Sequence, residues 1–196
     1  MDVNGKVCVV TGGASGIGLA LCTRFAREGA HVVLSDLNQE KCELFAGPIG
    51  AFPVAADVGR EEDVANLVAR TIERFGRIDL FVSNAGIAID GGIEVPTDKF
   101  RKVMDVNLMS ELFAAKHAIP HMLVQGGGYL LNTASAAGLL VVADSVAYTV
   151  TQARRDRLLR VAGRDLHRPG HRGERAVPGR GHHPDHRGQG EHARGT

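Results

Sequence analysis

Thr11-Gly12-Gly13-Ala14-Ser15-Gly16-Ile17-Gly18 stands between a short apolar run, Lys6-Val7-Cys8-Val9-Val10, and a helical stretch that reaches about Glu28. The apolar run reads as a parallel strand buried on both faces. Glycines in the turn let the backbone approach a phosphate closely, and the following helix N-terminus offers unpaired N–H groups and a positive dipole. That combination suits a dinucleotide pyrophosphate. The spacing is Gly-x3-Gly-x-Gly, carried by Gly12, Gly16 and Gly18, rather than the commoner Gly-x-Gly-x-x-Gly.

The next strand, His31-Val32-Val33-Leu34-Ser35-Asp36, ends in a carboxylate 24 residues after Gly12. A carboxylate there can accept both ribose hydroxyls of an adenosine and would repel a 2′-phosphate. No Arg or Lys lies in the glycine loop or directly after Asp36, so NAD is expected over NADP. Beyond it the chain keeps alternating. Asn38 is placed to cap a helix running to about Phe45. Phe52–Asp57 reads as a strand near an edge, because Pro53 lacks a donor. Residues 60–75 form an amphipathic helix with Val64, Leu67, Val68, Ile72 and Phe75 on one face. Ile78–Val82 and Tyr129–Thr133 read as a fourth and fifth strand, separated by a long helical region that starts near Thr97. This rhythm predicts an α/β fold, a Rossmann-like doubly wound parallel sheet, truncated after the fifth strand.

With those pieces in order, the chain resembles the classical short-chain dehydrogenase/reductase family over residues 6 to about 151. Thr11, Gly12, Ser15, Gly16, Ile17 and Gly18 lie in the family's Thr-Gly-x3-Gly-x-Gly motif. Asp57 and Val58 are similar to its adenine-contacting Asp-Val pair. Asn84-Ala85-Gly86 resembles its Asn-Ala-Gly turn along the adenosine. The resemblance implies an NAD(P)-dependent oxidoreductase that moves a hydride between a secondary alcohol or ketone and nicotinamide. It further implies Tyr148 as general acid/base, Ser135 as the group that hydrogen-bonds the substrate oxygen, and Asn107 as the asparagine that positions a water. Tyr148 follows Ser135 by thirteen residues, the family's separation. Family members are usually homodimers or homotetramers, an assembly made doubtful here by the changed segment after Tyr148. Taken singly, Ser135 also reads as a turn serine, Asn107 as a helix-surface amide and Tyr148 as a packing tyrosine.

One member departs from the pattern. The family's lysine, which lowers the tyrosine pKa and holds the nicotinamide ribose, belongs four residues after Tyr148, where this chain has Gln152. Glutamine can hydrogen-bond a ribose hydroxyl but brings no charge, and a free tyrosine titrates near 10. Activity of the chain as written is therefore expected to be impaired, and a non-catalytic dinucleotide-binding protein is the alternative.

The departure coincides with a change of composition. Residues 1–151, the expected dinucleotide-binding and catalytic domain, hold 12 basic and 17 acidic residues, a balance of −5. Residues 152–196 hold 11 Arg and 5 acids, a balance of +6, with 6 of the 9 His and 8 of the 25 Gly. Read one base later, a Gln codon followed by the G of Ala153 gives Lys or Arg, which places a cation at position 152. The same shift lets Arg175–Gly179 read Val-Leu-Cys-Pro-Gly, an apolar strand end at the family's spacing, although Pro178-Gly179 also stands in the written frame. The tail therefore reads as frame-shifted and disordered beyond a short continuation of the helix begun near Tyr148. A nucleic-acid-binding Arg/Gly tail lacks any aromatic residue for base stacking, so no nucleic-acid partner is expected. The six tail histidines have no cysteine beside them, so no metal is expected either.

No apolar stretch is long enough to span a membrane, and the start Met1–Lys6 has no signal-peptide pattern. Cys8, Cys22 and Cys42 show neither metal nor disulfide spacing. A cytoplasmic protein with reduced thiols is expected. The substrate is not legible beyond an alcohol or ketone, although Leu139, Leu140, Val141 and Val142 suggest an apolar side to its pocket.

Overall fold

The computed structural model describes residues 2–136 and 144–153. Within them five parallel strands form one sheet in the order β3-β2-β1-β4-β5. The strands are β1 (Val7–Thr11), β2 (His31–Asp36), β3 (Phe52–Ala55), β4 (Leu80–Ser83) and β5 (Tyr129–Asn132). The helices are α1 (Gly16–Arg27), α2 (Gln39–Ala46), α3 (Glu61–Phe75), α4 (Thr97–Met104) and α5 (Ser110–Val124), followed by helical residues 146–153. The tail 154–196 and the apolar group 139–142 lie outside the described residues.

The sequence pattern and the layers agree for a physical reason. β1 is central, and all five of its residues are buried, which is why it reads as an unbroken apolar run rather than an alternation. On one face, Cys22 of α1 and Cys42 and Ala46 of α2 pack with Cys8, Val10, Val32 and Leu34. On the other, Val64, Leu67 and Val68 of α3 meet Ala114, Ala118 and Met122 of α5 over Val9, Val33 and Phe81. Burying a side chain such as Leu67 stabilises the fold by about 1.5–3 kcal/mol. Asn38 caps α2 as expected, its Oδ1 accepting from the Lys41 amide at 3.0 Å. Pro53 sits in β3 at the sheet edge, where its missing donor faces no strand. At the other edge β5 leaves Tyr129 46% and Leu131 48% exposed.

Asp79 stitches the lower ends of three strands. Its N–H donates to Val7 O, its carbonyl accepts from Tyr129 N, and its carboxylate accepts from the Val7 amide. Arg77 closes a two-pronged pair on the same carboxylate at 2.9 and 2.7 Å, and Lys6 lies 3.6 Å away. Burial pushes this carboxyl upward, but the Arg77 bonds, the Val7 amide and Lys6 outweigh it and hold it below the usual carboxylate range. A carboxylate depressed in the folded state stabilises the fold above its unfolded pKa of about 3.9, and that stability is lost as pH falls through the folded value. Asp79→Asn is therefore expected to lower stability at pH 7 by about 1–3 kcal/mol. It should also flatten the decline in thermal midpoint below pH 4. An unchanged acid limb would show that Asp79 does not govern it.

Candidate functional site

The C-terminal ends of β1, β4 and β5 bring the sequence-derived candidates to one side of the sheet, the side where ligands of open parallel sheets sit. Thr11, the last residue of β1, is buried, and its hydroxyl is the organising atom. It donates to Val82 O and accepts from the amides of Asn84 and Ala85 at 3.1 and 3.2 Å. The Asn84 side chain answers by donating to Thr11 O and Gly12 O, while its Oδ1 accepts from Thr133 Oγ1 at 3.0 Å. The glycine loop after β1 and the Asn84-Ala85-Gly86 turn after β4 thus form one hydrogen-bonded unit.

Glycine is obligatory where that unit is tightest. A Cβ on Gly18 would overlap the Gly12 carbonyl oxygen and crowd the Asn84 amide. Gly12 itself has φ 63°, and a Cβ there would lie 2.9 Å from the Ala85 Cα. Close approach of α1 to the loop leaves Ser15, Gly16 and Ile17 exposed at the start of the helix. Ser15 places no side-chain cap on α1, and no acid stands in its first turn, so the first N–H groups face outward unanswered by a side chain. That is a cradle for an anionic group.

Asp36 closes the rim. Its Oδ2 accepts from the Ala14 amide at 3.1 Å and its Oδ1 from Leu37 N at 2.9 Å, which fixes the carboxylate beside the loop. Leu37, next to it, is 70% exposed, and Ile17 is 64% exposed. Across β3, Asp57 donates its N–H to Asp63 of α3 and accepts from Gly59 N, while Val58 is buried. This geometry fits an adenine dinucleotide: an amide-lined anion cradle, a carboxylate fixed beside it at the end of β2, and two uncovered apolar side chains.

The second group of candidates lies around the helix at 146–153. α4 and α5 are joined by a π-helical turn, Asp105–Met109, that aims Asn107 inward. Asn107 is fully buried, so the helix-surface reading does not hold. Its Oδ1 accepts from Ile87 N and its Nδ2 donates to Ile87 O, both at 2.8 Å. The same Nδ2 reaches Thr151 Oγ1 at 3.4 Å, and that hydroxyl donates to Tyr148 O. Asn107 is therefore connected to the tyrosine's own turn of helix. Tyr148 and Ser135 are half-buried, Ser135 just past the end of β5, and Gln152 is buried. Sequence reasoning did not single out Thr133, Ser145 or Thr151. Each is a small hydroxyl residue whose role is visible only once the distant carbonyl or amide it bonds is in place.

The chain is similar to known proteins in sequence and in fold. The sequence model of the family described as "short chain dehydrogenase" matches residues 6–179. An uncharacterized oxidoreductase of Thermotoga maritima is 38% identical over 160 residues, covering 78% of this chain and 62% of the relative. The 2-(R)-hydroxypropyl-CoM dehydrogenase of Xanthobacter autotrophicus is 38% identical over 159 residues, covering 75% of this chain and 63% of that enzyme. The chain thus spans a little over three fifths of the length of these relatives. Among solved structures, a short chain dehydrogenase/reductase from Burkholderia phymatum in complex with NAD superposes with a TM-score of 0.81. It is 29% identical, covering 85% of this chain and 62% of that one.

Proposed function

The chain belongs to the short-chain dehydrogenase family, and from that membership we propose that it binds NAD in preference to NADP. The observation that carries the preference is Asp36, whose two oxygens are pinned by the Ala14 and Leu37 amides at the rim of the glycine loop. A fixed carboxylate there accepts ribose hydroxyls and opposes a second phosphate. In this reading the amides opening α1, with Gly12, Ser15, Gly16, Ile17 and Gly18, hold the pyrophosphate. Asp57, Val58 and the Asn84–Gly86 turn line the adenosine side. NADH titration followed by fluorescence is expected to give a Kd at least about tenfold below that for NADPH, a difference of about 1.4 kcal/mol. Asp36→Ala should narrow the gap. Equal or tighter NADPH binding would overturn the preference.

The proposed reaction is oxidation of a secondary alcohol or reduction of a ketone, a small-molecule substrate. Bound nicotinamide supplies the hydride acceptor or donor. Ser135 hydrogen-bonds the substrate oxygen, Tyr148 gives or takes its proton, and Asn107 orders the tyrosine helix through Thr151. Gln152 stands where a cation would lower the tyrosine pKa, and its neutral amide leaves proton transfer slow near neutral pH. A second reading, a dinucleotide-binding protein without turnover, is favoured by that same residue. Residues 1–151 are proposed as the cofactor-binding domain in both readings, catalytic only in the first, and residues 152–196 are proposed to be out of frame. Sequencing the gene across codons 150–153 tests the frame directly. No helix among the described residues is long and apolar enough to cross a membrane.

A further inference from the structure

The loop after β4 is fastened at both ends to different parts of the site. At its start, the amides of Asn84 and Ala85 are held by Thr11, beside the glycine loop. At its far end, Gly91 forms a parallel bridge with Ser145, immediately before the helix that carries Tyr148. Gly91 N donates to Asp144 O at 2.9 Å, and Val146 N donates to Gly91 O at 3.0 Å. Ser145 Oγ adds a third bond, donating to Ile89 O at 2.7 Å. Ser145 is 2% exposed, and its carbonyl accepts the first bond of the helix, from Thr149 N.

A serine at a helix start commonly turns its hydroxyl toward an amide of that helix's own first turn. Here the hydroxyl proton is directed across to the Ile89 carbonyl, where it joins the helix to the loop. Between the two fastenings the loop is braced by Asn107, which bonds both polar groups of Ile87 and reaches Thr151. The backbone of this one loop therefore links Thr11 and the Asn84 turn to the helix at 146–153, through separate hydrogen bonds at Ile87, Ile89 and Gly91. We infer that Ser145 is a positioning residue that transmits cofactor occupancy at the Asn84 turn to the placement of Tyr148. The inference rests on the proposed cofactor site and on Tyr148 as the acid/base.

Amide hydrogen exchange on the full chain, with and without NADH, tests this without any substitution. NADH is expected to protect residues 12–18 and also to slow exchange at Gly91 and Val146 by about fivefold or more, the scale of an ordinary coupling between sites. In Ser145→Ala the slowing at Val146 should fall below about twofold while the glycine loop is still protected, and Ser145→Thr, which keeps the hydroxyl, should retain it. The chain has only two tyrosines, so carbon-13 labelling of the tyrosine ring gives a direct second reading. The Tyr148 signal should move on NADH addition in the unmodified protein and in Ser145→Thr, and move less in Ser145→Ala. If NADH protects residues 12–18 but leaves Val146 unchanged in the unmodified chain, the inference is overturned. Equal slowing in Ser145→Ala also overturns it. If NADH protects nothing at residues 12–18, the cofactor site itself is wrong and this inference goes with it. Should Ser145→Ala fail to fold, the exchange of Val146 in the unmodified chain decides alone.

Discussion

The protein as written is expected to reduce NAD with secondary alcohols at least about 100-fold more slowly than the same gene read one base later from codon 152, because a positioned acid/base contributes roughly 10²–10⁴ in rate. Tyr148 has to surrender or accept a proton near neutral pH, and each unit by which a cation lowers its pKa corresponds to about 1.4 kcal/mol. Gln152 is buried one turn along the same helix and brings no charge. The single change Gln152→Lys should recover only a small part of the rate, since the segment beyond it would still be in the written frame. Expressing all three forms and assaying NAD reduction over a panel of secondary alcohols is the measurement. If the written chain matches the re-framed one, both the frame-shift and the role assigned to position 152 are wrong.

Gly18→Ala is expected to weaken NADH binding by about 100-fold, or about 2.7 kcal/mol, and to lower the thermal midpoint with it. The added Cβ would overlap the Gly12 carbonyl oxygen and press on the Asn84 amide. Neither can yield alone, because Asn84 is also held by Thr11 and Thr133. The loop must shift, and with it the amides that would meet the pyrophosphate. Gly47→Ala is the control: a Cβ there meets nothing within 4 Å, and the residue has φ −52°. NADH affinity of Gly18→Ala within threefold of the unmodified chain would show that the loop is not the phosphate cradle.

The sheet, the glycine loop and the fixed carboxylate of Asp36 were legible because each is a local pattern: an apolar run, a glycine spacing, an acid at a strand end. What escaped the sequence depended on side chains from far along the chain. The fourth strand was expected from Ile78 but begins at Leu80. The Gln125 amide takes both backbone groups of Ile78, from 47 residues away. The third strand was expected to reach Asp57 but stops at Ala55. Past it the Asp57 amide turns to the Asp63 carboxylate rather than to a neighbouring strand. The long helical region from Thr97 gave no sign of its π turn, because the demand for one comes from Ile87 and Thr151, which Asn107 has to reach. The same logic hid Ser145 and Thr133, whose partners Ile89 and Asn84 lie 56 and 49 residues away.

Cys8, Cys22 and Cys42 are fully buried between the sheet and the helices α1 and α2, behind the glycine loop. Burial raises the thiols of Cys8 and Cys22 to about 12. Only the thiolate reacts with an alkylating reagent, so the closed packing is chemically silent at neutral pH. Alkylation waits for α1 or α2 to lift from the sheet, and its rate reads the free energy of that opening. The half of the molecule that would grip the dinucleotide thus carries three reporters of its own breathing, with no label added.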